Sequence, residues 1–175
     1  MTERVKTSPL ALGANGRMVV TFLLVLGGLN FLYYAESKLE LGMVDRPYTN
    51  FVTWVSAQTA DMLLPYPVTS QGNALIADMR TTVFVASGCN GLEAIFLMVA
   101  GIVAFPASWS RRWRGMAKYV GLLFLLNMVR VVFLVHVAHR YRDYLNVAHY
   151  QVAQGILIVF VLFFWVQYIR GSTSR

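Results

Sequence analysis

Four apolar runs are set apart by polar stretches: Met18 to Tyr34, Gly91 to Phe105, Met116 to Val137 and His149 to Ile169. An α-helix rises about 1.5 Å per residue, so roughly 20 residues cross a hydrocarbon core. The second run is short by that measure and must extend to Trp109, or begin at Ser87, to match it. The pattern predicts an all-α integral membrane protein, a four-span transmembrane helix bundle with spans over about 18–35, 88–107, 116–137 and 149–169. No internal repeat or composition break divides it, so residues 1–175 are read as a single polytopic membrane domain.

The longest polar interval, 36–88, is predicted to be an outer segment carrying a short helix and a β-hairpin. Phe51 to Leu64 has Val52, Val55, Thr59 and Met62 at helical spacing, but it contains Gln58 and Asp61 and stops at Pro65 and Pro67. Such a segment suits a surface or re-entrant helix better than a fifth span. Beyond Pro67, Ala74-Leu75-Ile76 and Thr82-Val83-Phe84-Val85 are short β-type runs around Asp78-Met79-Arg80, after the turn signal Gln71-Gly72-Asn73. They predict a hairpin that delivers the chain to the second span.

Charge orients the bundle. Only 13% of the residues are charged against 57% hydrophobic, with a mean hydropathy of +0.55. A soluble domain carries about a quarter charged residues. The basic residues form no stripe for nucleic acid and flank the apolar runs instead. Arg4, Lys6 and Arg17 precede the first, Arg111, Arg112, Arg114 and Lys118 lie between the second and third, and Arg170 and Arg175 follow the fourth. Five of the eight acids fall within 36–88. The positive-inside rule then predicts N-in and C-in termini, with the outer segment on the opposite side. No small-x-small site follows the first span, so it reads as an uncleaved anchor.

Three polar side chains stand out against this background. Cys89, the sole cysteine, lies in Ser87-Gly88-Cys89-Asn90-Gly91-Leu92-Glu93, where the polar segment becomes the second apolar run. One cysteine excludes an intramolecular disulfide. Lone cysteines are commonly small buried apolar residues. Here Gly88 and Gly91 permit a tight turn, and Asn90 and Glu93 have capping-box spacing, so the helix is expected to start directly after Cys89. The N–H groups of a helix start attract anions and can serve as oxyanion donors.

Arg130 lies inside the third run with Asn127 three residues earlier, on one face of the same helix. An arginine there faces a polar interior; it either locks helices together as an ion pair, with Glu93 the available acid, or holds an anion. His149 opens the fourth run, with Asn146 as its expected N-cap. Its rivals, His136 and His139, lie at the end of the third span and in the loop after it. Three histidines without a completing carboxylate or second cysteine make a poor metal set. By the predicted orientation Cys89, Arg130 and His149 all reach the outer interface, where they would supply a nucleophile, an oxyanion stabiliser and a general base. The sequence also leaves open a non-enzymatic assembly or chaperone subunit, and a transport or quinone-linked subunit.

Gly88-Cys89-Asn90-Gly91-Leu92, Asn127-Met128-Val129-Arg130 and His149-Tyr150-Gln151-Val152-Ala153-Gln154-Gly155 follow one another, each beside an apolar run. This ordered trio resembles the exosortase/archaeosortase family of polytopic membrane cysteine enzymes, most closely its small exosortase H subtype, over about residues 74–169. The resemblance implies Cys89, Arg130 and His149 as the catalytic set, with Asn90, Gly91 and Asn127 supporting them. It implies a protease or transpeptidase of the bacterial inner membrane with its site on the outer, periplasmic side. Its partners would be membrane-anchored proteins ending in a short sorting motif, a transmembrane helix and a basic tail. No cofactor is expected.

Overall fold

The computed structural model describes residues 13–39 and 41–173. Arg4, Lys6, Glu40 and Arg175, used above to orient the chain, lie outside them. The helices are α1 (Ala14–Lys38), α2 (Asp45–Leu63), α3 (Leu92–Ala104), α4 (Trp109–Arg140) and α5 (Gln154–Thr173). A three-stranded antiparallel sheet in the order β1-β2-β3 (Val68–Gln71, Ala74–Ala77, Thr81–Phe84) lies between α2 and α3. A short 3-10 turn, Arg142–Tyr144, and a π-helical turn, Val147–Ala153, lead from α4 into α5.

Among the described residues, three helices are long and apolar enough to cross a membrane: Asn15–Lys38, Trp109–Arg140 and Val147–Gly171. The third expected span is thus one 32-residue helix that starts at Trp109 rather than near Met116. The second departs more. α3 has 13 residues, not the twenty of 88–107, so it rises about 20 Å against a core of about 30 Å. Proline explains the early stop. Phe105 precedes Pro106 and is extended at φ −73°, ψ 133°, as steric conflict with a following proline ring demands. α1 leaves Leu23, Leu24, Phe31 and Leu32 exposed, as a helix bathed in acyl chains does.

The expected outer helix exists and begins earlier, at Asp45. The Glu36 carboxylate at the end of α1 accepts from the Val44 N–H at 2.8 Å and the Asp45 N–H at 3.3 Å, which satisfies two of the free donors at this helix start. α2 buries Val52, Thr53, Ser56, Ala57 and Ala60, and Phe51, Trp54, Met62 and Leu63 stay exposed. The expected hairpin is two thirds of a sheet. β1, made of Val68-Thr69-Ser70-Gln71, adds a third strand. The Val68 N–H donates to Asp61 at 3.0 Å and so pins β1 to α2.

Two apolar clusters meet along α4. One joins Val52 and Ala57 of α2, Leu75 and Ala77 of β2, and Met128, Val131, Val132 and Val135 of α4. The other joins Met98 and Ile102 of α3, Tyr119 and Leu123 of α4, and Leu157, Val161 and Phe164 of α5. Asn127 sits between these two stretches of α4 and Arg130 within the one that runs from Met128 to Val135, both buried. The candidate site therefore occupies a polar step between two hydrophobic cores.

A cysteine placed at Arg114 in a Cys89→Ala background checks the orientation. In intact cells it should resist a membrane-impermeant maleimide and react only after permeabilisation. Labelling from outside would refute the N-in arrangement.

Candidate active site

Cys89 lies in the loop between β3 and α3, where the chain reverses direction. The Cys89 N–H donates to the Ala86 carbonyl at 2.9 Å. Gly88 and Gly91 bracket the turn with φ of 86° and 83°, backbone that side chains other than glycine rarely adopt. Gly91 has a second constraint. A methyl group there would lie 2.7 Å from the Asn127 Cγ, so α3 and α4 meet at this point only because residue 91 has no side chain.

The next residue explains how the loop is held. Asn90 is completely buried. Its amide donates to Asp45 at 3.1 Å and to the Thr49 hydroxyl at 2.9 Å, and its side-chain oxygen accepts from the Leu92 N–H at 3.1 Å. Its backbone carbonyl accepts from the Asn127 amide at 2.9 Å. Buried polar groups are costly unless paired, so this set fixes one conformation of the residue beside the thiol. Asp45 anchors the network, also accepting from the Tyr33 hydroxyl at 2.6 Å and from Ser87 at 2.9 Å. One carboxylate thus ties α1 and α2 to the residues on both sides of Gly88-Cys89.

The capping box expected from Asn90 and Glu93 is replaced by this arrangement. The helix cap is Gly91, in the left-handed conformation, without a side-chain cap. Asn90 reaches Leu92 from one position before the cap, so a helix N–H expected to be free for an anion is already occupied. The expected Asn146 cap also fails: Asn146 is helical, at φ −63° and ψ −45°, and makes no side-chain cap bond.

His149 is nonetheless in place. The π-helical turn Val147–Ala153 carries it, and its Nε2 lies 2.7 Å from the Cys89 Sγ. π-turns of this kind gather at functional sites because the added residue re-aims a side chain. The rival histidines are engaged elsewhere. His136 Nδ1 lies 3.1 Å from the Tyr66 hydroxyl, and His139 Nδ1 lies 3.2 Å from the Thr81 hydroxyl with its ring against Tyr66. Among the described residues no group of three or more His, Cys, Asp or Glu is placed to hold a metal.

Arg130 completes the cluster. It is only 6% exposed and lies close enough to Cys89 and Glu93 for their charges to act on it. Its Nε and Nη1 are buried and make no hydrogen bond. Two unused guanidinium donors in such a place carry a desolvation penalty that a bound anion would relieve. The Asn127 side-chain oxygen, one turn away, is likewise buried and unpaired.

A cleft of about 550 Å³ opens onto the pair, bordered by Cys89, His149, Tyr150, Arg142 and β3. The structure therefore brings Cys89, Arg130 and His149 together and packs Asn90, Gly91 and Asn127 directly behind them. Sequence reasoning missed Asp45, Thr49 and Tyr33. Asp45 and Thr49 precede the Phe51 to Leu64 segment read from the sequence, and nothing in the spacing links them to Asn90.

The family model described as transmembrane exosortase matches residues 7–168, nearly the whole chain. The chain belongs to the transmembrane exosortase family. No curated protein and no solved structure matched it at a significant level. In this exosortase the chemistry follows from the contacts. A neutral imidazole facing a thiol at 2.7 Å can take its proton, and an adjacent guanidinium favours the anion left behind. The same guanidinium has donors to spare for a second anion formed beside the sulfur.

Proposed function

We propose that this exosortase is a membrane-embedded cysteine protease or transpeptidase that removes the C-terminal sorting signal of exported proteins. The observation that carries the reading is the 2.7 Å contact between Cys89 and His149 with Arg130 against the same sulfur. His149 takes the thiol proton, and the sulfur attacks the scissile carbonyl carbon. Negative charge moves to the carbonyl oxygen, where the free donors of Arg130 stabilise it. The C–N bond then breaks, and His149 returns its proton to the departing amine. Water, or the amine of an acceptor, resolves the thioester.

The site works on the outer face of the bacterial inner membrane, in a multi-pass chain with both termini inside and α3 as the shortened second of four spans. The flanking charges support that orientation. The substrate's apolar helix approaches from the side, between α4 and α5. An apolar groove there, bordered by Leu126, Val129, Phe133, Val152 and Ile156, has Arg130 in its lining, which supports this route. No cofactor is called for, since each step uses a side chain already in contact.

Co-expression in a heterologous host tests the proposal. The partner is a membrane protein from the same genome ending in a short motif, an apolar helix and a basic tail. Mass spectrometry should find it shortened by helix and tail only when the enzyme is present. Full-length partner in every such pairing would overturn the reading.

A further inference from the structure

Among the described residues β3 is the edge of its sheet, since the order is β1-β2-β3 and β3 pairs with β2. The register is Ala74↔Phe84, Leu75↔Val83, Ile76↔Thr82 and Ala77↔Thr81. The Val85 N–H donates to the Asn73 carbonyl at 2.8 Å, in phase with that register. In an antiparallel ladder, hydrogen-bonded pairs alternate with non-bonded ones. Val85, Val83 and Thr81 therefore turn their N–H and C=O groups toward β2. Thr82 and Phe84 turn theirs to the open edge.

That edge faces the candidate active site. Thr81, Thr82, Val83 and Phe84 all border the cleft that contains Cys89 and His149. Successive side chains of a strand point to opposite faces, so a cleft bordered by all four residues lies against the edge rather than against one face. The chain then reaches Cys89 from Phe84 through the short turn of Ala86 to Cys89. Proteins normally blunt an open strand edge with bulges, proline or a covering element. Among the described residues β3 carries no proline, and although α4 packs on it, the cleft still borders all four of its residues together with Cys89.

We infer that the segment of substrate to be cleaved binds as an extended strand added to β3, through the backbone groups of Thr82 and Phe84, which carries its scissile carbonyl to Cys89. The inference rests on the reading of Cys89 as nucleophile. Strand addition draws its affinity from main-chain bonds and so tolerates varied side chains. It also fixes a period of two along the substrate, because only alternate residues of an added strand bond to the edge.

The test uses the purified full-length chain and acetyl-alanine chloromethyl ketones of one and four residues, which alkylate the thiol and release chloride. Iodoacetamide serves as a reagent too small to reach β3. The four-residue reagent should react with Cys89 at least about tenfold faster than the one-residue reagent, each main-chain bond contributing about two- to tenfold. N-methylation at alternate alanines should remove the gain, and N-methylation at the intervening ones should spare it. Thr82→Pro and Phe84→Pro remove edge N–H groups that β2 does not use, a place where sheets accept proline. They should lose the gain and keep the iodoacetamide rate.

Equal rates for the two ketones, or N-methyl effects without alternation, would overturn the inference. The N-methyl series on the unmodified enzyme decides the matter even where a proline variant does not fold. His149→Ala separates the two readings. If alternation persists while iodoacetamide reacts as fast without His149, the docking edge stands and the proposed nucleophile–base pair falls.

Discussion

A Cys89→Ser enzyme should leave a co-expressed substrate uncleaved and bound to it. Serine nearly matches cysteine in size, so the loop bonds made by Ser87 and Asn90 and the position of His149 are retained. A hydroxyl, however, is a far weaker acid than a thiol and a poorer nucleophile than a thiolate, so the exchange removes the reactive anion. Removing His149 should have a related effect by another route. His149→Ala should slow alkylation of Cys89 and substrate cleavage by about 10²-fold or more, within the range that a positioned general base contributes. His136→Ala and His139→Ala should leave alkylation unchanged, because those rings are held by Tyr66 and Thr81. Cleavage at the normal rate by folded Cys89→Ser protein would end the cysteine mechanism and favour a non-enzymatic assembly subunit.

Arg130→Lys should reduce cleavage by about 10²–10³-fold, the loss seen when a single oxyanion donor is removed. Lysine keeps the charge and gives up the planar fork, of which Nε and Nη1 are the buried, unbonded members. The amount of folded protein in the membrane should fall little, because the conserved charge still meets Cys89 and Glu93. An arginine acting only as an interhelical lock behaves differently. Its replacement by alanine lowers accumulation in the membrane, and the protein that does accumulate cleaves normally. Measuring rate and membrane abundance together in Arg130→Lys and Arg130→Ala distinguishes the two roles.

Much of this was legible in the sequence because membrane helices announce themselves by length and apolarity. Cys89, Arg130 and His149 stood out because a thiol, a guanidinium and an imidazole are conspicuous in such surroundings. What escaped was set by contacts between distant segments. β1 has the polar sequence Val-Thr-Ser-Gln, which carries little strand signal until β2 pairs with it. The start of α4 at Trp109 was hidden by Arg111, Arg112 and Arg114, since hydropathy registers where the lipid begins and not where the helix does. The span assigned to 88–107 was too long because the apolar run was followed past Pro106 and back to Ser87, and Gly91 and Phe105 stop the helix within it. Asn90 was read as one half of a local capping box. Its main partners, Asp45 and Thr49, are more than 40 residues away, where no local pattern could reveal them.

The three side chains assigned to the proposed chemistry stand on three separate stretches of chain, and the imidazole comes last. Cys89 and Arg130 are synthesised before α5, and His149 sits at the very mouth of that final helix. A ribosome-bound intermediate that has inserted everything through α4 thus possesses the thiol without its base. On the proposed mechanism the protein would stay dormant throughout its own biogenesis, and competence would arrive with integration of α5.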